Sequence, residues 1–150
     1  MQEERAHSNR ETMLVEFLSR NTEELTRNWM RIVRNHQLTR SYGAFDEDRV
    51  YERAFRMYDQ LRRWVGREFT KGDIASYYTA LGAKRRREGF DLAEVVRALI
   101  VARRVLWFKI QAEGFIDKSI PADLALEINN RVVLFFDRAI YYSTVGYEQK

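Results

Sequence analysis

The chain has 150 residues, a formal net charge of +4 and 45% hydrophobic residues, which suits one domain and is too apolar for a disordered chain. It contains no cysteine, which excludes disulfides, thiolate zinc sites and cysteine nucleophiles. The longest unbroken apolar runs are five residues, Ala98 to Ala102 and Val132 to Phe136, against the about 20 that a membrane span needs.

The start, Met1-Gln2-Glu3-Glu4-Arg5, is charged and carries no apolar stretch of the kind a signal peptide has. A soluble cytoplasmic protein is the expectation. Of 26 basic residues, 21 are arginine, set against 22 acids. The signs alternate along the chain, which favours a salt-bridged helical surface over a nucleic-acid binder.

One proline and seven glycines leave little turn chemistry for a β-protein. The reading is all-α, with six helices at about 9–20, 22–36, 47–67, 71–88, 92–113 and 121–147. Asn21 with Glu24, Thr70 with Asp73 and Asp91 with Glu94 have the spacing of N-terminal capping boxes. Gly89 and Gly114 stand where a left-handed residue ends a helix, and Pro121 suits a first turn. The second helix lines up Leu25, Trp29, Ile32 and His36. The third lines up Val50, Ala54, Met57, Leu61, Trp64 and Val65. The fourth lines up Ile74, Tyr77, Tyr78 and Leu81. Glu23 with Arg27 and Glu52 with Arg56 are outer-face pairs in the favourable order. The stretch from His36 to Asp46 reads as a loop.

The last two helices carry two apolar stripes each. On the fifth, Leu92, Val95, Val96, Leu99, Leu106 and Ile110 form one, and Val101, Val105 and Phe108 lie opposite. On the sixth, Leu124, Ile128, Val132, Phe135, Ala139 and Tyr142 form one. Leu126, Val133, Ile140 and Tyr147 recur every seven residues on another side. A helix covering one core needs one stripe. The second stripes therefore predict a homodimer through Val101, Val105, Phe108, Leu126, Val133 and Ile140.

Catalytic constellations are lacking. The two histidines are His7, near the start, and His36, at the end of an apolar stripe. No His-x-x-x-His pair and no glycine-rich phosphate loop occurs, and the single Glu-x-x-His, Glu4 with His7, stands alone near the start, so neither a metal nor another cofactor is expected. The adjacent acids Glu23-Glu24 and Glu47-Asp48 fit helix first turns. Lys84-Arg85-Arg86-Arg87 sits in a last turn, where positive charge favours the helix end. Two arginines are less ordinary. Arg103 lies between Leu99 and Leu106, and Arg85 is in line with Ile74, Tyr78 and Leu81. A buried arginine needs a partner. The choice is between a salt bridge, with Asp137 or Glu113 for Arg103, and an anion-binding end to a pocket. The candidate ligand site is Tyr77, Tyr78, Leu81, Arg85, Arg103 and Trp107.

The run from Leu81 to Arg97 contains Glu88-Gly89-Phe90-Asp91-Leu92-Ala93-Glu94. With Val101-Ala102-Arg103-Arg104 and the ending Ile140 to Tyr147, it resembles the N-terminal sensor domains of RsbR/RsbRD-type stress regulators. The resemblance spans about residues 10–148. It implies a globin-like fold without haem, a dimer, no catalysis, and a signal passed to an output module such as an anti-sigma antagonist or a histidine kinase. Leu81 departs from the histidine common in such domains. No output module precedes Lys150, so both a stand-alone sensor acting through a protein partner and a part of a longer protein stay open.

The function expected from these residues is a non-enzymatic signalling sensor or adaptor, with a small-molecule signal as an option. The alternatives are a basic helical nucleic-acid-binding protein, and a haem or small-molecule globin, for which His36 is the inward candidate.

Overall fold

A computed structural model describes the backbone of residues 2–113 and 121–149, with side chains from residue 12 on. Among these residues there are six α-helices and no strand: α1 (Gln2–Val33), α2 (Arg40–Ala44), α3 (Glu47–Val65), α4 (Lys71–Arg87), α5 (Leu92–Ala112) and α6 (Ala122–Glu148). The all-α reading holds. No helix among the described residues is long and apolar enough to cross a membrane. Gly114 and the His7 side chain lie outside the described residues.

The first part of the chain is divided differently from the sequence reading. The expected helices 9–20 and 22–36 are one continuous helix, α1. Asn21 does not cap a helix start. It is buried and its Nδ2 donates to the Phe17 carbonyl at 2.8 Å. Thr22 and Thr26 likewise donate to the carbonyls of Leu18 and Thr22. Burial removes water as a competitor, and the side chains bond back into the helix instead of interrupting it. The helix ends at Val33, which takes the inward place assigned to Ile32; Ile32 is 42% exposed. His36 is not on an inward face. It is exposed, and its Nδ1 accepts from the Leu38 N–H, capping a 3₁₀ turn at Gln37–Thr39. The expected loop thus holds that turn and α2.

The remaining caps are local. Asp46, read from the sequence only as the end of a loop, accepts from the Arg49 N–H at 3.2 Å and caps α3. Thr70 and Asp73 form a reciprocal box at 2.9 and 3.1 Å. Pro121 is the residue just before α6. The expected surface pairs Glu23–Arg27 and Glu52–Arg56 are both formed.

All six inward residues named for α3 are buried. α5 packs on both α1 and α6. This explains its two stripes and corrects the expected dimer face at two residues: Val101 and Val105 are 5% exposed and belong to the core of one subunit. Phe108 and Leu126 are exposed at 59% and 62%, while Val133 and Ile140 are half-buried. Trp29 Nε1 donates to the Ala98 carbonyl and Tyr58 OH to the Ala102 carbonyl, fixing α1 and α3 against α5.

α4 and α6 are the most extensively paired helices. They cross with backbones in contact. A Cβ on Gly82 would run into the Ser143 carbonyl, and one on Gly146 into the Thr79 carbonyl. Glycine is what permits this approach.

Candidate functional site

The site is built around the α4–α5 junction. Gly89 has φ +88°, a left-handed value that glycine adopts freely. It turns the chain so that the Gly89 N–H reaches the Arg86 carbonyl at 3.1 Å and the Phe90 N–H the Arg85 carbonyl at 3.0 Å. Phe90 is thereby buried. Asp91 then opens α5, and the Glu94 carboxylate accepts from the Asp91 N–H at 3.0 Å. The same carboxylate accepts from the Ser41 N–H at 2.8 Å and the Ser41 hydroxyl at 2.7 Å, tying α5 to α2. Burial works against the Glu94 charge, but the hydrogen bonds from Ser41 and Asp91 outweigh it. The carboxyl is held below its ordinary 4.5.

Arg85, on α4, is 5% exposed. Its Nη1 donates to Glu88 Oε1 at 3.0 Å, and Arg53 of α3 donates to both oxygens of the same carboxylate. Burial again opposes the Glu88 charge. The Arg53 hydrogen bond and the Arg85 and Arg53 charges overcome it and lower its pKa. Aromatic rings enclose the cluster. Arg53 lies 4.7 Å over the Phe45 ring, Phe45 meets Phe90 at 5.3 Å, and Phe90 meets Tyr42 at 4.7 Å. Burial pushes the Tyr42 phenol up to about 12, against the pull of the Arg85 charge, so it stays protonated at neutral pH.

Beside this cluster lies a cavity of about 50 Å³ between α1, α3, α4 and α5. Its apolar wall is Trp29, Ala54, Met57, Val95, Ala98 and Leu99. Its other side is Tyr42, Arg53, Tyr77, Tyr78, Leu81 and Arg85. Tyr78 is buried and its OH donates to Gln60 Oε1 at 2.8 Å. A second, outer hollow of about 160 Å³ shares Arg53, Tyr77, Leu81 and Arg85 with the cavity and adds Arg56 and Lys84.

Four of the six residues in the sequence-derived site therefore meet: Tyr77, Tyr78, Leu81 and Arg85. Arg103 and Trp107 do not join them. They line a cleft of about 260 Å³ between α5 and α6. Arg103 is half-exposed and stands 3.7 Å from Asp137, the salt-bridge partner considered from the sequence. It sits at the rim of its stripe, where its head reaches water while its stem covers apolar surface. Trp107 is 38% exposed. The run Lys84 to Arg87 diverges as helical geometry requires. Lys84 faces the outer hollow and Arg85 is buried, while Arg86 donates to the Tyr147 carbonyl at 2.9 Å.

The junction also touches the end of α6. Tyr147 OH donates to the Phe90 carbonyl at 2.7 Å, so one turn holds both the cavity edge and the last turn of α6. Sequence reasoning missed Tyr42, Arg53 and the aromatic enclosure, because these contacts join distant segments. It also missed the role of Glu88, although its spacing of three from Arg85 on one helix was a usable signal. Among the described residues no group of three or more histidines or acids is arranged to hold a metal ion.

Residues 23–150 match the family model described as the RsbT co-antagonist protein rsbRD N-terminal domain. No curated protein and no solved structure matches the chain.

Proposed function

Because the chain belongs to the family of RsbT co-antagonist rsbRD N-terminal domains, we propose that it is a non-enzymatic sensor and adaptor domain of stress signalling. It works in the cytoplasm, as a homodimer and through a regulatory protein partner. The observation that carries this reading is the shared junction. Arg85 lines the cavity and belongs to its ion cluster, Phe90 packs against Arg85 and Tyr42 behind the cavity wall, and the Phe90 carbonyl also holds Tyr147 at the end of α6. A change at the cavity has a short physical route to that end, provided it favours one arrangement over another.

The dimer face in this proposal lies on what the subunit leaves exposed. Leu126, Leu134 and Tyr141 follow one another on α6 at spacings of eight and seven, with Phe108 exposed on α5. Val133 and Ile140 flank that line. The signal site in this proposal is the cavity with Tyr77, Tyr78, Leu81 and Arg85.

The test is a transcriptional reporter of the general stress response in the host. Deleting the gene shifts induction, and Tyr147→Phe, which removes one hydrogen bond and no packing volume, reproduces part of that shift at unchanged protein level. A reporter indifferent to both changes under all stresses applied contradicts the reading.

A further inference from the structure

The charges of the outer hollow beside the cavity do not balance. Arg53, Arg56, Lys84 and Arg85 line the outer hollow. Two carboxylates serve them: Glu88 is shared by Arg53 and Arg85, and Glu52 pairs with Arg56. Four cations against two acids leave two positive charges. Glu88 has one carboxylate for two guanidiniums that are themselves largely buried. The Arg56–Glu52 pair is more than half exposed on both sides. Such pairs exchange easily for another anion. Inside, two polar groups of the wall are already satisfied: Trp29 Nε1 by the Ala98 carbonyl and Tyr78 OH by Gln60. The inner wall offers an incoming group mainly apolar surface.

A basic hollow that shares the wall of Arg53, Tyr77, Leu81 and Arg85 with a small apolar chamber suits a molecule with both characters. We propose that the site takes a short-chain monocarboxylate. Its carboxylate lies between Arg56 and Lys84, and its hydrocarbon tail passes Tyr77 and Leu81 toward Ala98. Guanidinium presents a planar fork that matches a carboxylate. The size follows from the chamber. A cavity of about 150 Å³ accepts benzene, so the 50 Å³ here takes about two carbons. The outer hollow holds the rest. Butyrate is the natural probe. This assignment rests on the sensor reading for its purpose, but not for its chemistry.

The experiment is calorimetric titration of the whole chain with butyrate at low salt, alongside butyramide, butylammonium and inorganic phosphate. Butyrate is expected to saturate at one site and to bind at least about tenfold tighter than butyramide, with no binding of butylammonium. Arg56→Gln with Lys84→Gln, both at exposed positions, is expected to weaken butyrate about fivefold while leaving the unfolding midpoint in place. Ala98→Val adds two methyl groups to the chamber, and is expected to weaken butyrate about tenfold without loss of helicity. Equal binding of butyramide, equal binding of phosphate, or unchanged butyrate affinity in folded Ala98→Val overturns the proposal. So does the absence of saturable binding to a chain that melts cooperatively. Failure here with a reporter still sensitive to Tyr147→Phe removes the ligand class alone. Butyrate binding with an indifferent reporter removes the signalling role alone.

Discussion

Arg85 Nη1 and Glu88 Oε1 face each other at 3.0 Å across the last turn of α4, and Arg53 of α3 closes on the same carboxylate from the other side. One acidic side chain is thus shared by two guanidiniums at the edge of the cavity. Glu88→Gln would leave Arg85 nearly buried with no full negative partner. Removing one member of a buried pair costs several kcal/mol, less where water has partial access, so a loss of about 2–4 kcal/mol is expected in urea unfolding at pH 7.

The pH dependence of stability follows from the same group. Glu88 and Glu94 both have pKa values lowered in the folded state from the ordinary 4.5. Their contribution is complete above about 4.5, where the unfolded carboxylates are also ionised, and is lost as pH falls through the lower folded values. Stability is expected to decline on acidification in that window, and Glu88→Gln to show a shallower decline than wild type. Parallel slopes for the two proteins between pH 5 and pH 3, by roughly equal urea steps, would contradict this.

The glycines of the chain differ in what they permit. Gly82→Ala and Gly146→Ala place a methyl group into a facing carbonyl, and α4 and α6 must separate. Each is expected to cost about 2–4 kcal/mol. Gly89→Ala forces a left-handed alanine and is expected to cost about 1–2 kcal/mol. Gly72→Ala meets only the Thr70 hydroxyl at 3.7 Å, and is expected to stabilise α4 by about 0.5–1 kcal/mol. Thermal melts of the four variants check the order.

The homodimer is tested at Leu126, which is 62% exposed and so dispensable for the subunit core. Leu126→Asp is expected to sediment as a folded monomer where wild type sediments as a dimer. A wild-type monomer at high micromolar concentration contradicts the proposal.

What was legible in the sequence was what depends on neighbours along the chain. The Thr70–Asp73 box, the buried face of α3 and the turn at Gly89 all follow from local spacing. Asn21 shows the limit. The same residue caps a helix in water or bonds back into it when buried, and only packing decides. Val101 and Val105 show another. Two apolar stripes demand two partners, but both partners of α5 belong to its own subunit. Arg85 and Arg103 looked alike as interruptions of apolar stripes. They separated because one lies in a cluster enclosed by the rings of Tyr42 on α2, Phe45 just after it and Phe90 at the junction, while the other reaches solvent beside Asp137. Tyr42 and Arg53 enter the site through contacts that no short window contains.

The most direct measurement of the coupling between cavity and α6 is amide hydrogen exchange across residues 143–149 when the cavity is filled. Ala98→Val fills it without a ligand, and Tyr147→Phe cuts the hydrogen bond to the Phe90 carbonyl. The expected result is that Ala98→Val changes exchange at the end of α6, and that the change disappears in the Ala98→Val, Tyr147→Phe double variant. Changes confined to α3, α4 and α5, with 143–149 exchanging as in wild type, would contradict the proposed route from cavity to α6.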